Sequence, residues 1–170
     1  MIIEGIILSI IIGYIRKGRL KNLENIQIKA WYLIIISLLL QTLAVRYTNY
    51  LKTNNTIFYL LHISSYIILL IPLIINHKLI SMRLLTIGTI LNLIPIALNN
   101  GQMPVALPQG LNATFDKGHV LATTTTKAYI LSDIIPILKP YPLPKIISIG
   151  DIFLLVGIFL IIQYAMFKKD

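Results

Sequence analysis

Apolar residues run through this chain in long blocks. Residues 1–15, 30–45, 57–75, 84–98 and 152–167 are almost continuously Ile, Leu, Val, Ala and aromatic, with charged side chains held to their edges. A helix that crosses the roughly 30 Å of bilayer hydrocarbon needs about 20 such residues, and the blocks approach that length. The pattern predicts about five transmembrane helices. The first block, 15 residues long, fits by local thinning, by help from neighbouring helices, or by letting Arg16 and Lys17 reach back to the headgroups. A cleaved signal peptide is the competing account of it. That account fails because "RKGR" follows the apolar run instead of preceding it, Glu4 stands where a basic region belongs, and no small-residue cleavage pattern is present.

The block pattern breaks at "NNGQMPVALPQG", Asn99 to Gly110. Pro95 removes a backbone donor near the end of the fourth block and frees a carbonyl near Leu91. Asn99, Asn100 and Gly101 then accept left-handed conformations that suit a helix C-terminus, and Pro104 and Pro108 prevent the helix from resuming. Six of the eight prolines lie between Pro104 and Pro144, yet "VAL", "HVLA", "AYIL", "DIIPIL" and "KIISI" recur among them. Apolar density of that order argues against a solvated, disordered loop. Residues 99–150 read as a folded cap, partly re-entrant or interfacial, over the helix ends. Within it "ATTTTKAY" has strand propensity and "KAYILSDII" fits one or two helical turns. The expected fold is therefore an all-α membrane protein, residues 1–170 forming one integral membrane domain, with a proline-rich extracytoplasmic cap between the last two spans.

Composition agrees: 56% of residues are hydrophobic and 12% charged, outside the range of a soluble domain. Charge adds an orientation. With the N-terminus outside, the inner segments hold Arg16, Lys17, Arg19, Lys21, Lys29, Lys78, Arg83, Lys168 and Lys169, nine basic residues in three short stretches. The outer ones hold Arg46, Lys52, Lys117, Lys127, Lys139 and Lys145, spread over two segments, one of them long. The density contrast favours N-out, C-in. It also accounts for the net charge of +9 without nucleic acid, since no basic patch with interleaved aromatics exists. The absence of cysteine excludes disulfides, thiolate metal sites and a cysteine nucleophile. No inverted repeat marks a transporter, and nothing points to a particular cofactor.

Within the blocks the informative residues are small or polar. Gly5, Ser9 and Gly13 recur every four residues and build a face for close helix packing, within the chain or across a dimer. Glu4 reads as an interfacial, solvated acid. Gln41, His62, Asn92 and Gln163 read as interhelical hydrogen-bond formers, with Asn92 set on a helix loosened between Gly88 and Pro95. In "IISIGDIFLL", Ser148 or Asp151 caps the last helix. Asp133, in "LSDIIP", has apolar neighbours in sequence and calls for a partner: Lys117, Lys127, Lys139 or a backbone donor. His119 has no second histidine at metal-ligand spacing and reads as a hydrogen-bonded structural residue.

"NNGQMPV", then "HVL", "LSDIIP" and "PLPKIISIGD" before a terminal span, resembles the small bacterial membrane proteins grouped as domain of unknown function 5317. The matching positions are Asn99, Gly101, Met103, Pro104, Val105, Asp133, Ser148, Gly150 and Asp151; Asn100 and Ser132 stand where that family tends to have Gly. The resemblance covers mainly the last 75 residues. It implies a multi-pass protein of the bacterial cytoplasmic membrane and carries no established activity. Two function classes follow. In one, a non-catalytic component binds a membrane protein partner, a lipid or a small solute through Asn99, Asn100, Gln102 and Met103. In the other, Asp133, Asp151 and His119 converge as a proton-relay or acid–base group of a small transporter or enzyme. The first is favoured, because no nucleophile–base pair, metal spacing or phosphate loop is present.

Overall fold

Two of the apolar blocks close on a residue in the left-handed conformation. In the computed structural model, which describes residues 2–50, 55–108, 114–138, 140–141 and 144–168, five helices result: α1 (Ile2–Ile15), α2 (Trp31–Tyr50), α3 (Asn55–Ile75), α4 (Ile80–Leu98) and α5 (Ile149–Phe167). Lys17 closes α1 at φ 65°, with the Gly18 N–H reaching back to the Gly13 carbonyl and the Lys17 N–H to that of Tyr14, a Schellman closure. Asn100 does the same for α4 at φ 56°, with the Gly101 N–H on the Ile96 carbonyl. Ser148 opens α5 through a full capping box with Asp151. Pro72 and Pro95 lie within α3 and α4, which continue through them.

Helices α3, α4 and α5 are long and apolar enough to cross a membrane; the apolar parts of α1 and α2, Ile3–Ile15 and Trp31–Arg46, are shorter. Large aliphatic side chains such as Ile3, Leu39, Leu60 and Ile74 are more than half exposed. Apolar surface at that density fits lipid as the surrounding solvent. Several boundaries differ from the sequence pattern: helix α2 runs on to Tyr50, past the expected end at Val45. Helix α4 starts at Ile80 and so includes Arg83, and α5 starts at Ile149, drawn forward by its cap.

The helices neighbour one another in the order α1, α5, α4, α3, α2. Small residues set the closest approaches. A Cβ on Gly88 would lie 2.7 Å from the Gly150 carbonyl oxygen, and one on Gly157 would lie 2.7 Å from Leu85. At one end of the bundle the chain ties itself together: the Arg19 N–H and Asn22 Nδ2 donate to the Met166 carbonyl, Lys168 Nζ donates to that of Asn25, and Asn76 brackets Lys29 from both sides.

Four short strands occupy the other end, between α4 and α5. Strand β1 (Met103–Val105) pairs in parallel with β2 (His119–Leu121), and β3 (Ile135–Ile137) pairs antiparallel with β4 (Lys145–Ile147). These correct the all-α expectation. Three-residue strands are too short to produce a readable alternation, and prolines at 104 and 136 are tolerated because each pair is two-stranded. "ATTTTKAY" corrects in the opposite direction: Thr123 and Thr126 bond each other's backbone and side chain to form a turn. Tyr129–Leu131 forms a single 3-10 turn.

Candidate functional site

A cavity of about 210 Å³ lies where α2, α3, α4 and α5 meet the strands. From α2 come Gln41 and Val45, one helical turn apart; from α3 come His62 and Tyr66, also one turn apart; α4 contributes Asn92 and Ile96, at the same spacing. Met103 and His119 enter from β1 and β2, Gly118 and Asp133 from the intervening chain, and Asp151 from the first turn of α5. Polar residues that looked isolated along the sequence thus share one space.

Asp133 is fixed by its own backbone. Its N–H donates to the Pro104 carbonyl at 3.0 Å, its carbonyl accepts from the Ala106 N–H at 2.8 Å, and a bridge aligns it with Val105. The residue is 7% exposed, and among the described residues nothing donates to its Oδ1. The expectation of a lysine or backbone partner is therefore corrected for that oxygen; Lys139 lies outside the described residues. Burial in the first place, and the negative charge of Asp151 in the second, push its carboxyl up to about 7, against the opposing influence of His119.

Asp151 is engaged on all sides. Oδ1 accepts from Asn92 Nδ2 at 2.9 Å and Oδ2 from the Ser148 N–H at 3.3 Å. Ser148 Oγ accepts from the Asp151 N–H at 2.9 Å and donates to Asn92 Oδ1 at 2.7 Å. Asn92 thereby extends the capping box of α5 across to α4. His119 turns its Nδ1 to Asp116 Oδ1, 2.7 Å away, and its ring is exposed. His62 is buried, with Nδ1 2.6 Å from the Gly101 carbonyl oxygen. A carbonyl only accepts, so Nδ1 carries the proton and Nε2 keeps its lone pair.

The remaining candidates fall elsewhere. Asn99 donates from Nδ2 to the Pro95 and Lys127 carbonyls, and its Oδ1 accepts from the Lys127 N–H. Gln102 donates to the Lys117 carbonyl at 3.0 Å. Asn100 and Gln102 line a second, open depression of about 480 Å³ with Asn55, Phe58, Tyr59 and Lys117. Gly5, Ser9 and Gly13 face α5: Ser9 Oγ donates to the Phe159 carbonyl, and Gln163 Nε2 donates to the Ser9 carbonyl at 2.6 Å while its Oε1 accepts from Arg16. Glu4 pairs with Lys145 of β4. Tyr66 escaped the sequence reading. Its signal was the stripe Phe58, His62, Tyr66 at four-residue spacing, whose rings meet in sequence at 5.2 and 5.5 Å.

Chemically the cavity offers acceptors at Asp133 and His62 beside the Gln41 amide and the Tyr66 hydroxyl, which can each donate or accept. Among the described residues no group of three His, Cys, Asp or Glu is placed to hold a metal ion. Comparison with known proteins gives a family and no activity. A family model described as a family of unknown function, DUF5317, matches residues 25–163. An uncharacterized protein of Thermotoga maritima is 28% identical over 162 residues, covering 94% of this chain and 89% of that protein. No solved structure matches.

Proposed function

Because this chain belongs to DUF5317, a family without an assigned activity, its role must be argued from its own residues, and we propose a non-catalytic membrane component that binds a small polar solute beneath its strands. In this reading the five helices all span the bacterial cytoplasmic membrane and residues 99–150 form the extracytoplasmic cap. The N-terminus is outside and the C-terminus inside, a polarity supported by the grouping of Arg16, Lys17, Arg19, Lys21, Lys29, Lys78, Arg83 and Lys168 at the end opposite the strands. The observation that carries the binding role is Asp133, which lines the roughly 210 Å³ cavity and whose buried Oδ1 has no donor among the described residues. An acceptor left in that state is costly unless something from outside the chain completes it.

The relay reading keeps one observation in its favour, since His119, Asp133 and Asp151 line the same cavity. Against it, Asp151 is committed to a helix cap and His119 is held by Asp116. The binding role is tested by denaturing protein purified in mild detergent and identifying released small solutes by mass spectrometry, for the parent and for Val45→Phe, which fills the cavity. The parent should release a solute at near-stoichiometric amount and the variant, with its helical circular dichroism retained, should release almost none. Equal release from both, or none from either, defeats the reading.

A further inference from the structure

We propose that the cavity takes a small organic ammonium ion, and that the ion enters in exchange for a proton on Asp133. The inference rests on the solute-binding reading above and names the chemistry of the solute.

Local charge is the first argument. The chain carries 15 basic residues against six acidic ones, yet among the described residues the cavity wall holds two of those acids and neither Lys nor Arg. Two carboxylates facing one space repel an anion and attract a cation. Hydrogen-bond capacity is the second. Among the described residues Asp133 Oδ1 lacks a donor, and His62, whose Nδ1–H is committed to the Gly101 carbonyl, has Nε2 left as a second acceptor. An ammonium group carries several donors and one charge, the complement of that wall. The ring of Tyr66 adds an aromatic surface of the kind that accepts cations. Hard divalent ions want six or more oxygen ligands, which this wall does not supply. The volume has room for a ligand of a few non-hydrogen atoms, set against roughly 30 Å³ for a water molecule.

Exchange follows from burial. Asp133 is nine-tenths buried beside a second carboxylate, so its ionised form needs a compensating charge, and a proton or an ammonium ion supplies the same one. One cation enters, one proton leaves, and the charge of the cavity is unchanged. The groups facing Asp133 are Asp151 from α5, His119 from β2 with Asp116 beside it, and His62 and Tyr66 from α3. With the carboxyl titrating near 7, apparent affinity should rise about tenfold per pH unit below that value and level off above it.

The probe is ethylammonium chloride, with propionamide as a neutral donor and sodium chloride as the ionic-strength control, on detergent-solubilised full-length protein. A ligand of three non-hydrogen atoms binds no tighter than about the sub-millimolar range, so about 50 mM is needed. At pH 8 that concentration should raise the melting midpoint by about 5 °C, with affinity at pH 6 reduced about tenfold. Titration calorimetry at pH 6 in buffers of different ionisation enthalpy should show close to one proton released per ion bound. Asp133→Asn should lose at least tenfold in affinity, while Glu24→Gln, exposed on the 3-10 segment Leu20–Asn25 at the end opposite the strands, should match the parent. Should Asp133→Asn not fold, proton release from the parent protein still decides the matter. Protection by propionamide but not by ethylammonium, or binding of ethylammonium without proton release, overturns the ammonium assignment and leaves the solute-binding role standing. Loss of that role is read separately, from the Val45→Phe comparison.

Discussion

Asp133 and Asp151 are both acids at the strand-bearing end of an apolar bundle, and their surroundings give them opposite characters. Asp151 satisfies both oxygens through Asn92 and Ser148, whereas Asp133 holds an unmet acceptor and a carboxyl raised to about 7. Since the folded value lies above the unfolded one, this group favours the folded state fully below about pH 4, and that contribution fades as pH rises through 7. Asp133→Asn should therefore melt higher than the parent at pH 8, by on the order of 1–3 kcal/mol, and the gap should close toward pH 4.5 in thermal melts across that range. Asn92→Ala should act at every pH: it strips a donor from Asp151 and an acceptor from Ser148, a loss of about 1–3 kcal/mol by chemical denaturation. The sequence made Asp133 conspicuous as an acid among Ile, Leu and Pro. Its surroundings come from four helices and two strands that lie far apart in the chain, so no local pattern encodes them.

Between elements, glycines decide how closely helices approach, and they differ in what stands opposite. A Cβ on Gly150 would overlap Asn92 Oδ1 and come within 2.8 Å of the Gly88 carbonyl, backbone that cannot move without shifting α4. Gly5 faces the tip of Leu155, which has rotamers to spare. Gly150→Ala is expected to lose 3 kcal/mol or more, or to fail to fold, and Gly5→Ala about 1 kcal/mol, both measured by denaturant titration in detergent. The Gly5–Ser9–Gly13 seam was readable because one helix carries the whole four-residue repeat. The α4–α5 seam was not, because Gly88, Gly150 and Gly157 come from two helices and no single stretch shows the spacing.

For the molecule as a whole, the absence of cysteine allows a clean test of the proposed polarity. Lys127→Cys, at an exposed position on the strand-bearing end, should react with a membrane-impermeant maleimide in intact cells, and Lys21→Cys should react only after lysis. The reverse pattern, or reaction of both, would refute N-out, C-in. Block length and charge density carried the helices in the sequence, since each is an additive property of a long window. The paired strands escaped because three residues make less than two periods of alternation, and because β1 finds its partner 16 residues downstream.

The Asn99 side chain imitates a neighbouring strand, giving the Lys127 backbone both a hydrogen and a lone pair. Aspartate has the same outline with nothing to donate, and glutamine has the right groups one carbon too far out. A protein with Asp at 99 would keep the acceptor for the Lys127 N–H and lose the donor to its carbonyl, and one with Gln would misplace both, so the chain around Lys127 would loosen while the strand pairing and the helices stayed as they were.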